Sequence, residues 1–201
     1  MKIQKEMAVS SSAPASRDYF RGLRNVLDRL DCDVVDHIAD AIWRGYEEGR
    51  TLFIFGNGGS AALASHFACD IGKGTVAHGR RRVRAISLSN NVPLMTAWAN
   101  DCGYKDIFAE QLRGLVEKGD LVLAITGSGR SPNVVRGLEA AREAGATTLV
   151  LTGNDGGRVK ALADLCLIVP SSTMQYIEDA HLCSTHAIFT AVRRRMLQAG
   201  E

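Results

Sequence analysis

Five short apolar runs constrain this chain more than any other feature. They read TLFIF (51–55), VRAISL (83–88), LVLAIT (121–126), TTLVLT (147–152) and LCLIVP (165–170). Each is rich in Leu, Ile and Val, and none alternates strictly between apolar and polar residues. The pattern predicts strands covered on both faces, and hence a parallel sheet. Helical segments separate the runs at roughly 60–71, 92–116, 131–144 and 158–163, and a last helix is expected over about 175–197. Strands alternating with helices define an open α/β fold, in which ligands gather at the carboxyl ends of the strands.

Ahead of the first strand the pattern is helical from Arg17 to Arg50. Phe20, Leu23, Val26, Leu27 and Leu30 recur at helical spacing, a break falls near Asp31–Asp33, and the period resumes at Val34, Ile38 and Ile42. Such an arm carries apolar surface that a partner subunit can bury. In the last helix Ile177, Ala180, Ile188, Val192 and Met196 share one side. Arg193, Arg194 and Arg195 crowd its final turn, where positive charge opposes the helix dipole favourably. Residues 1–15 hold no apolar core of signal-peptide length and are expected to form a loose tail, with Met7 an alternative start. Residues 16–201 are expected to be a single domain, since no repeat or linker interrupts them.

Composition narrows the partners. A formal net charge of +2 over 201 residues gives no reason to expect nucleic acid or an anionic membrane. No apolar run reaches the ~18 residues of a membrane helix. The cysteines (Cys32, Cys69, Cys102, Cys166, Cys183) are odd in number, scattered and without a C-x-x-C, which predicts free thiols in a reducing cytoplasm.

Two strand-to-helix turns carry chemistry. Gly56-Asn57-Gly58-Gly59-Ser60 follows the first strand, and Thr126-Gly127-Ser128-Gly129-Arg130-Ser131 follows the third. Glycines let backbone N–H groups approach an anion, hydroxyls add donors, and a helix N-terminus behind each loop adds a favourable dipole. Neither loop has the Walker A lysine or the full G-x-G-x-x-G spacing, which disfavours a nucleotide. One such turn alone reads as a tight turn; two at equivalent positions point to a small phosphorylated ligand.

His66 and Asp70 stand at i and i+4, on one helix face. Glu178 and His186 stand eight apart on the last helix, about 80° from alignment at 100° per residue. Two imidazoles and two carboxylates suit zinc or another divalent metal. Taken singly, a pair such as His66/Asp70 reads as a surface hydrogen bond. His181, one turn from Glu178, reads as a packing or supporting group, and His37 as helix surface. His78 and the run Arg80-Arg81-Arg82 with Arg84 read as a solvated loop or a contact with a neighbouring subunit. Cys69 has no base at readable spacing and is expected to be buried and inert.

Taken together, GNGGSAALASHFACD, AWANDCGY, ITGSGRSPNVVRGLEAAREAG, LTGNDGG and IEDAHLCSTHAI resemble the sugar isomerase (SIS) domain of bacterial phosphoheptose isomerases, in register from about residue 17 to 197. That family converts sedoheptulose 7-phosphate to a heptose 7-phosphate. The resemblance implies a three-layer αβα sandwich with a five-stranded parallel sheet in flavodoxin-like order. It also implies a homotetramer with active sites between subunits. It assigns substrate contacts to Asn57, Gly58, Gly59, Ser60, Asn100 and Asp101, and a phosphate-binding turn to Thr126, Gly127, Ser128 and Ser131. The implied metal set is His66, Asp70, Glu178 and His186, with Asp70 and Glu178 also facing substrate. Asp70 takes the role of base and His186 that of acid, and a metal-assisted enediolate joins the two halves of the isomerisation. Two positions depart from the family pattern: Asp70 stands where glutamate is usual, and Glu178 where glutamine is. Specialisation toward another phosphosugar is one reading of those changes. The rival reading is a non-catalytic SIS-domain tetramer that binds a replication initiator or senses a phosphosugar. Retention of His186 and the lack of a helix-turn-helix segment favour the enzyme.

Overall fold

The structure, a computed structural model, describes residues 15–199. The expected tail falls outside the described residues except for Ala15, which opens the first helix. The elements run α1 (Ala15–Leu27), α2 (Cys32–Glu47), β1 (Thr51–Gly56), α3 (Gly59–Gly74), β2 (Arg84–Ser87), α4 (Val92–Asp101), α5 (Ile107–Leu115), β3 (Leu121–Thr126), α6 (Pro132–Glu143), β4 (Thr147–Gly153), β5 (Leu165–Val169) and α7 (Met174–Gln198). All five expected strands form. They pair in parallel in the order β2-β1-β3-β4-β5.

Why the strand runs lack alternation is visible in the core. Successive strand residues point to opposite faces of the sheet. Leu52, Ile54, Leu123, Ile125, Leu149 and Leu151 pack on one face against Ile38 and Ile42 of α2, Phe67 and Ile71 of α3, and Ile188, Val192 and Met196 of α7. Phe53, Phe55, Val122, Ala124 and Val150 pack on the other, against Ile107, Phe108 and Leu112 of α5 and Val134, Val135 and Leu138 of α6. Both faces are dry, so both must be apolar, and the three layers αβα follow. The expected apolar side of α7 is fully buried: Ile177, Ala180, Ile188, Val192 and Met196 all show 0% exposure.

Three expectations need correction. The segment 92–116 is not one helix. It ends at Asp101, turns through Gly103 at φ 95°, and restarts after a 3-10 turn at Tyr104–Asp106. Apolar periodicity continues across that break, so the pattern alone does not reveal it. The segment near 158–163 is a 3-10 turn, Arg158–Leu162, and not an α-helix. The N-terminal arm divides near the expected break, but its second half, α2, packs its stripe against its own sheet and α7 instead of leaving it bare. The side chain of Asp31 caps α2 by accepting from Val34 N at 3.3 Å. In α1 only Val26 is buried, and Phe20 is 66% exposed.

The topology also locates the site. From β1 the chain moves outward to β2 on one side and later returns to β3 on the other. The crevice between the carboxyl ends of β1 and β3 is therefore a topological switch point. The two glycine loops lie on its two sides.

Candidate active site

The loop after β1 is held by side chains rather than left slack. Asn57 and Asn133 pair through both amides. Asn57 Nδ2 donates to Asn133 Oδ1 at 2.9 Å, and Asn133 Nδ2 donates to Asn57 Oδ1 at 2.8 Å. Tyr104 Oη donates to the same Asn57 oxygen at 3.0 Å. These bonds tie the β1 loop to the start of α6 and so to the β3 loop. Gly58 then takes φ 55°, ψ −123°, a backbone state that a side chain strains. It serves as N-cap of α3, and α3 points its first amides at the crevice. Gly59 lies under Glu178: a Cβ there would stand 2.9 Å from the Glu178 carboxylate. Ser60 is buried at this helix start.

The β3 loop is a compact turn. Gly129 N donates to Thr126 Oγ1 at 3.3 Å, and Arg130 N donates to Ser128 Oγ at 3.3 Å. Gly129 stands at φ 64°, and a Cβ there would meet the Gly156 carbonyl oxygen at 2.2 Å. Backbone approach alone therefore excludes any larger residue. Ser131 is the N-cap of α6, with Pro132 behind it at a position that needs no N–H, and its hydroxyl makes no cap bond. Arg130 turns away to Asp155 at 2.6 Å and holds that carboxyl well below its usual range, at about 2.

Beside these loops α3 and α7 enclose a cavity of about 270 Å³, lined by Gly59, Ser60, His66, Glu178, Asp179 and His181 among others. At its edge three expected metal ligands converge. His66 Nε2 lies 3.3 Å from Asp70 Oδ2, and His186 Nε2 lies 3.8 Å from the same oxygen. The two imidazoles meet edge to face, with centroids 5.3 Å apart. One ligand atom from each residue falls within 4.8 Å of the others. Bonds of ~2.0–2.1 Å in a tetrahedral zinc shell set ligand–ligand edges of about 3.4 Å. The donor chemistry and the spacing therefore fit a divalent cation with little movement. Both imidazoles are half-exposed, which leaves the cluster open to a ligand.

Glu178 does not join this cluster. Eight residues of helix separate it from His186, a rise of ~12 Å. Its carboxylate packs over Gly59 and forms cavity wall instead of completing a four-residue shell. Asn100 and Asp101 bond to each other at 2.9 Å on the exposed last turn of α4, and neither lines the cavity. Cys69, expected to be buried, is exposed. All five cysteines are free, as their spacing predicts, and His37 is exposed on α2.

Sequence reasoning singled out neither Tyr104 nor Asn133, which orient Asn57. Both lie inside stretches quoted above, but nothing in their spacing marks them. It also passed over Asp179, a cavity residue whose Oδ2 accepts from Tyr19 Oη at 2.5 Å. That bond, with the carboxylate charge behind it, pushes the Tyr19 phenol up to about 12. His181 is fully buried, with Nε2 3.2 Å from the Thr152 carbonyl and Nδ1 unpartnered. A carbonyl only accepts, so Nε2 carries the proton. Burial drives the His181 pKa down to about 4 and keeps the ring neutral.

Residues 18–153 match the family model described as SIS domain. A phosphoheptose isomerase of Pelobacter propionicus is 36% identical over 188 residues, covering 94% of this chain and 97% of its own. A solved phosphoheptose isomerase from Francisella tularensis superposes with a TM-score of 0.83 at 26% identity, covering 89% of this chain and 96% of its own. One from Neisseria gonorrhoeae gives 0.82 at 27% identity, over 88% and 96%. The fold and the crevice thus define a SIS-domain protein, and the chain belongs to the phosphoheptose isomerase family.

Proposed function

We propose that this protein is an aldose–ketose isomerase that converts sedoheptulose 7-phosphate to a heptose 7-phosphate through an enediolate. The observation that carries the reading is the His66–Asp70–His186 cluster, set beside a cavity at the carboxyl ends of β1 and β3 in a chain of this family. The phosphate is held by the β3 turn, with Thr126, Gly127, Ser128 and Ser131 and the first amides of α6. Asn57, Gly58, Gly59 and Ser60 line the path of the sugar. The carbonyl end then reaches the cavity between α3 and α7.

Isomerisation moves one proton between adjacent carbons and another between their oxygens. Asp70 takes the proton from C1 of the ketose and returns it at C2. Its Oδ2 faces both imidazoles, so Oδ1 is the oxygen free to do so. His186, 3.8 Å from Asp70, exchanges the oxygen-bound proton. His66 orients the Asp70 carboxylate. Zinc or another divalent cation held by His66, Asp70 and His186 supplies Lewis acidity at the carbonyl oxygen when bound. Glu178 and Asp179 accept hydrogen bonds from sugar hydroxyls along the cavity wall, where two carboxylates would repel a phosphate.

The half-exposed imidazoles and the bare face of α1 support a homotetramer in which a neighbouring subunit closes the site. Five free thiols support a cytoplasmic location. The test pairs elemental analysis with turnover of sedoheptulose 7-phosphate in the wild type and in His186→Gln. The expected result is one divalent metal per wild-type chain and loss of turnover in a folded variant with depleted metal. Undiminished turnover in that variant would refute the assignment.

A further inference from the structure

At the amino edge of the sheet, away from the reaction cavity, the end of α2 and the segment before β2 gather Arg50, Arg80, Arg81, Arg82 and Arg84. Arg81 donates to the carbonyls of Tyr46 and Glu47, Arg84 to that of Gly49, and Arg50 Nη1 to that of Lys118 at 3.0 Å. The Arg81 guanidinium lies 4.9 Å from the Tyr46 ring centroid, and that of Arg80 lies 5.8 Å away. Part of the cluster is thus explained locally. The last carbonyls of α2 lack helical partners, and cations at that end complement the dipole.

That explanation leaves most of the charge unanswered. Each guanidinium has five N–H donors, and the bonds above use only a few. Among the described residues, the carboxylate within ion-pair distance of these five arginines is that of Glu48, 3.6 Å from Arg50 Nε. Among the described residues Arg82 makes no side-chain hydrogen bond or ion pair, and the Nε atoms of Arg50 and Arg80 are buried without a hydrogen-bond partner. The whole chain carries only +2, so this is a local concentration of like charge that repels itself unless an anion is bound. Arg50, Arg81, Arg82 and Arg84, with Tyr46 and Gly49, line a cleft of about 230 Å³. No acidic side chain lines it. Glu47 faces only the neighbouring hollow, beside Arg80. The cleft is separated from the β1 loop by the length of β1, about 17 Å.

We propose that this cleft is a second anion site, distinct from the reaction site, that binds a compact metabolite bearing two phosphate groups. A guanidinium fork matches phosphate oxygens two at a time, and the donors left over on four lining arginines exceed what one phosphate can use. The cleft is of small-molecule size, and its arginines form a cluster rather than a stripe along which a polymer could run.

Isothermal titration of the full chain with inorganic pyrophosphate in 150 mM salt tests this. Wild type is compared with Arg82→Ala/Arg84→Ala and with Arg82→Glu, the latter touching no structural bond. The expected result is one pyrophosphate per chain, bound at least tenfold more weakly by both variants, with unchanged KM for the phosphosugar. Absence of saturable binding, or equal binding by all three proteins, would overturn the proposal. Binding of a single-stranded oligonucleotide without binding of pyrophosphate would replace it with a nucleic-acid surface. A changed oligomeric state in Arg82→Glu would replace it with a subunit contact. Isomerase turnover does not enter the binding readout, so failure here leaves the proposed activity standing.

Discussion

Acidification from pH 7.5 to 4.5 is expected to weaken the fold through His181. This imidazole is fully buried behind the reaction cavity, and burial lowers its pKa from 6.5 to about 4. As the pH falls, the unfolded chain takes up the proton first. The stability contributed by the neutral buried ring is complete above about pH 6.5 and drains away as the pH falls toward about 4. One pKa unit corresponds to about 1.4 kcal/mol, so down to pH 4.5 the loss from this one group is about 2 to 3 kcal/mol. Other groups also change charge on acidification, so a reference protein that differs only at this imidazole is required. His181→Gln supplies it, because a glutamine amide can still donate to the Thr152 carbonyl but does not titrate. Urea unfolding at a series of pH values and one fixed protein concentration gives both curves. The wild type should lose about 2 to 3 kcal/mol more than the variant across that interval. Parallel curves would refute the assignment of a neutral, buried His181.

Gly58→Ala should cost about 1 to 3 kcal/mol in thermal or urea unfolding, because alanine is strained at φ 55°; an unchanged midpoint would mean that the loop relaxes freely. Ser128→Ala with Ser131→Ala should raise KM for the phosphosugar about tenfold or more while leaving the fold intact, since two hydroxyl donors to a charged phosphate are lost; an unchanged KM would send the phosphate elsewhere. Tyr19→Phe removes the 2.5 Å bond to Asp179 and should cost about 1 kcal/mol, with a larger effect on KM than on kcat; equal KM in a folded variant would detach α1 from the site.

The sheet was legible in the sequence because a strand buried on both faces leaves an unbroken apolar run, and each of the five runs became a strand. The glycine loops were legible for the same kind of reason: Gly58 and Gly129 occupy positive-φ backbone states that favour glycine, and Gly129 also sits too close to the Gly156 carbonyl for a side chain. The break at Gly103 was hidden, because the apolar period carries on across it. His66 and Asp70 were readable as a pair, since one helical turn joins them. His186 was readable as a candidate ligand, but its approach to Asp70 was not, because α3 and α7 meet only in three dimensions. The position of Glu178 over Gly59, ~12 Å of helix rise before His186, was not readable, because it depends on how α7 packs against the start of α3. The reciprocal Asn57–Asn133 amide pair spans 76 residues and leaves no periodic trace.

The central claim is that Asp70 and His186 move protons on a ketose phosphate. Proton NMR of sedoheptulose 7-phosphate in deuterium oxide, with enzyme and a divalent metal, reads that step directly. With the wild type, a C1 proton signal should disappear as deuterium enters at carbon. Exchange should be at least a hundredfold slower with Asp70→Asn and His186→Gln in folded protein, ~10²-fold being the lower range of a general acid–base contribution. A wild type that leaves the C1 protons untouched, or an Asp70→Asn variant that exchanges them at full rate, would contradict that claim.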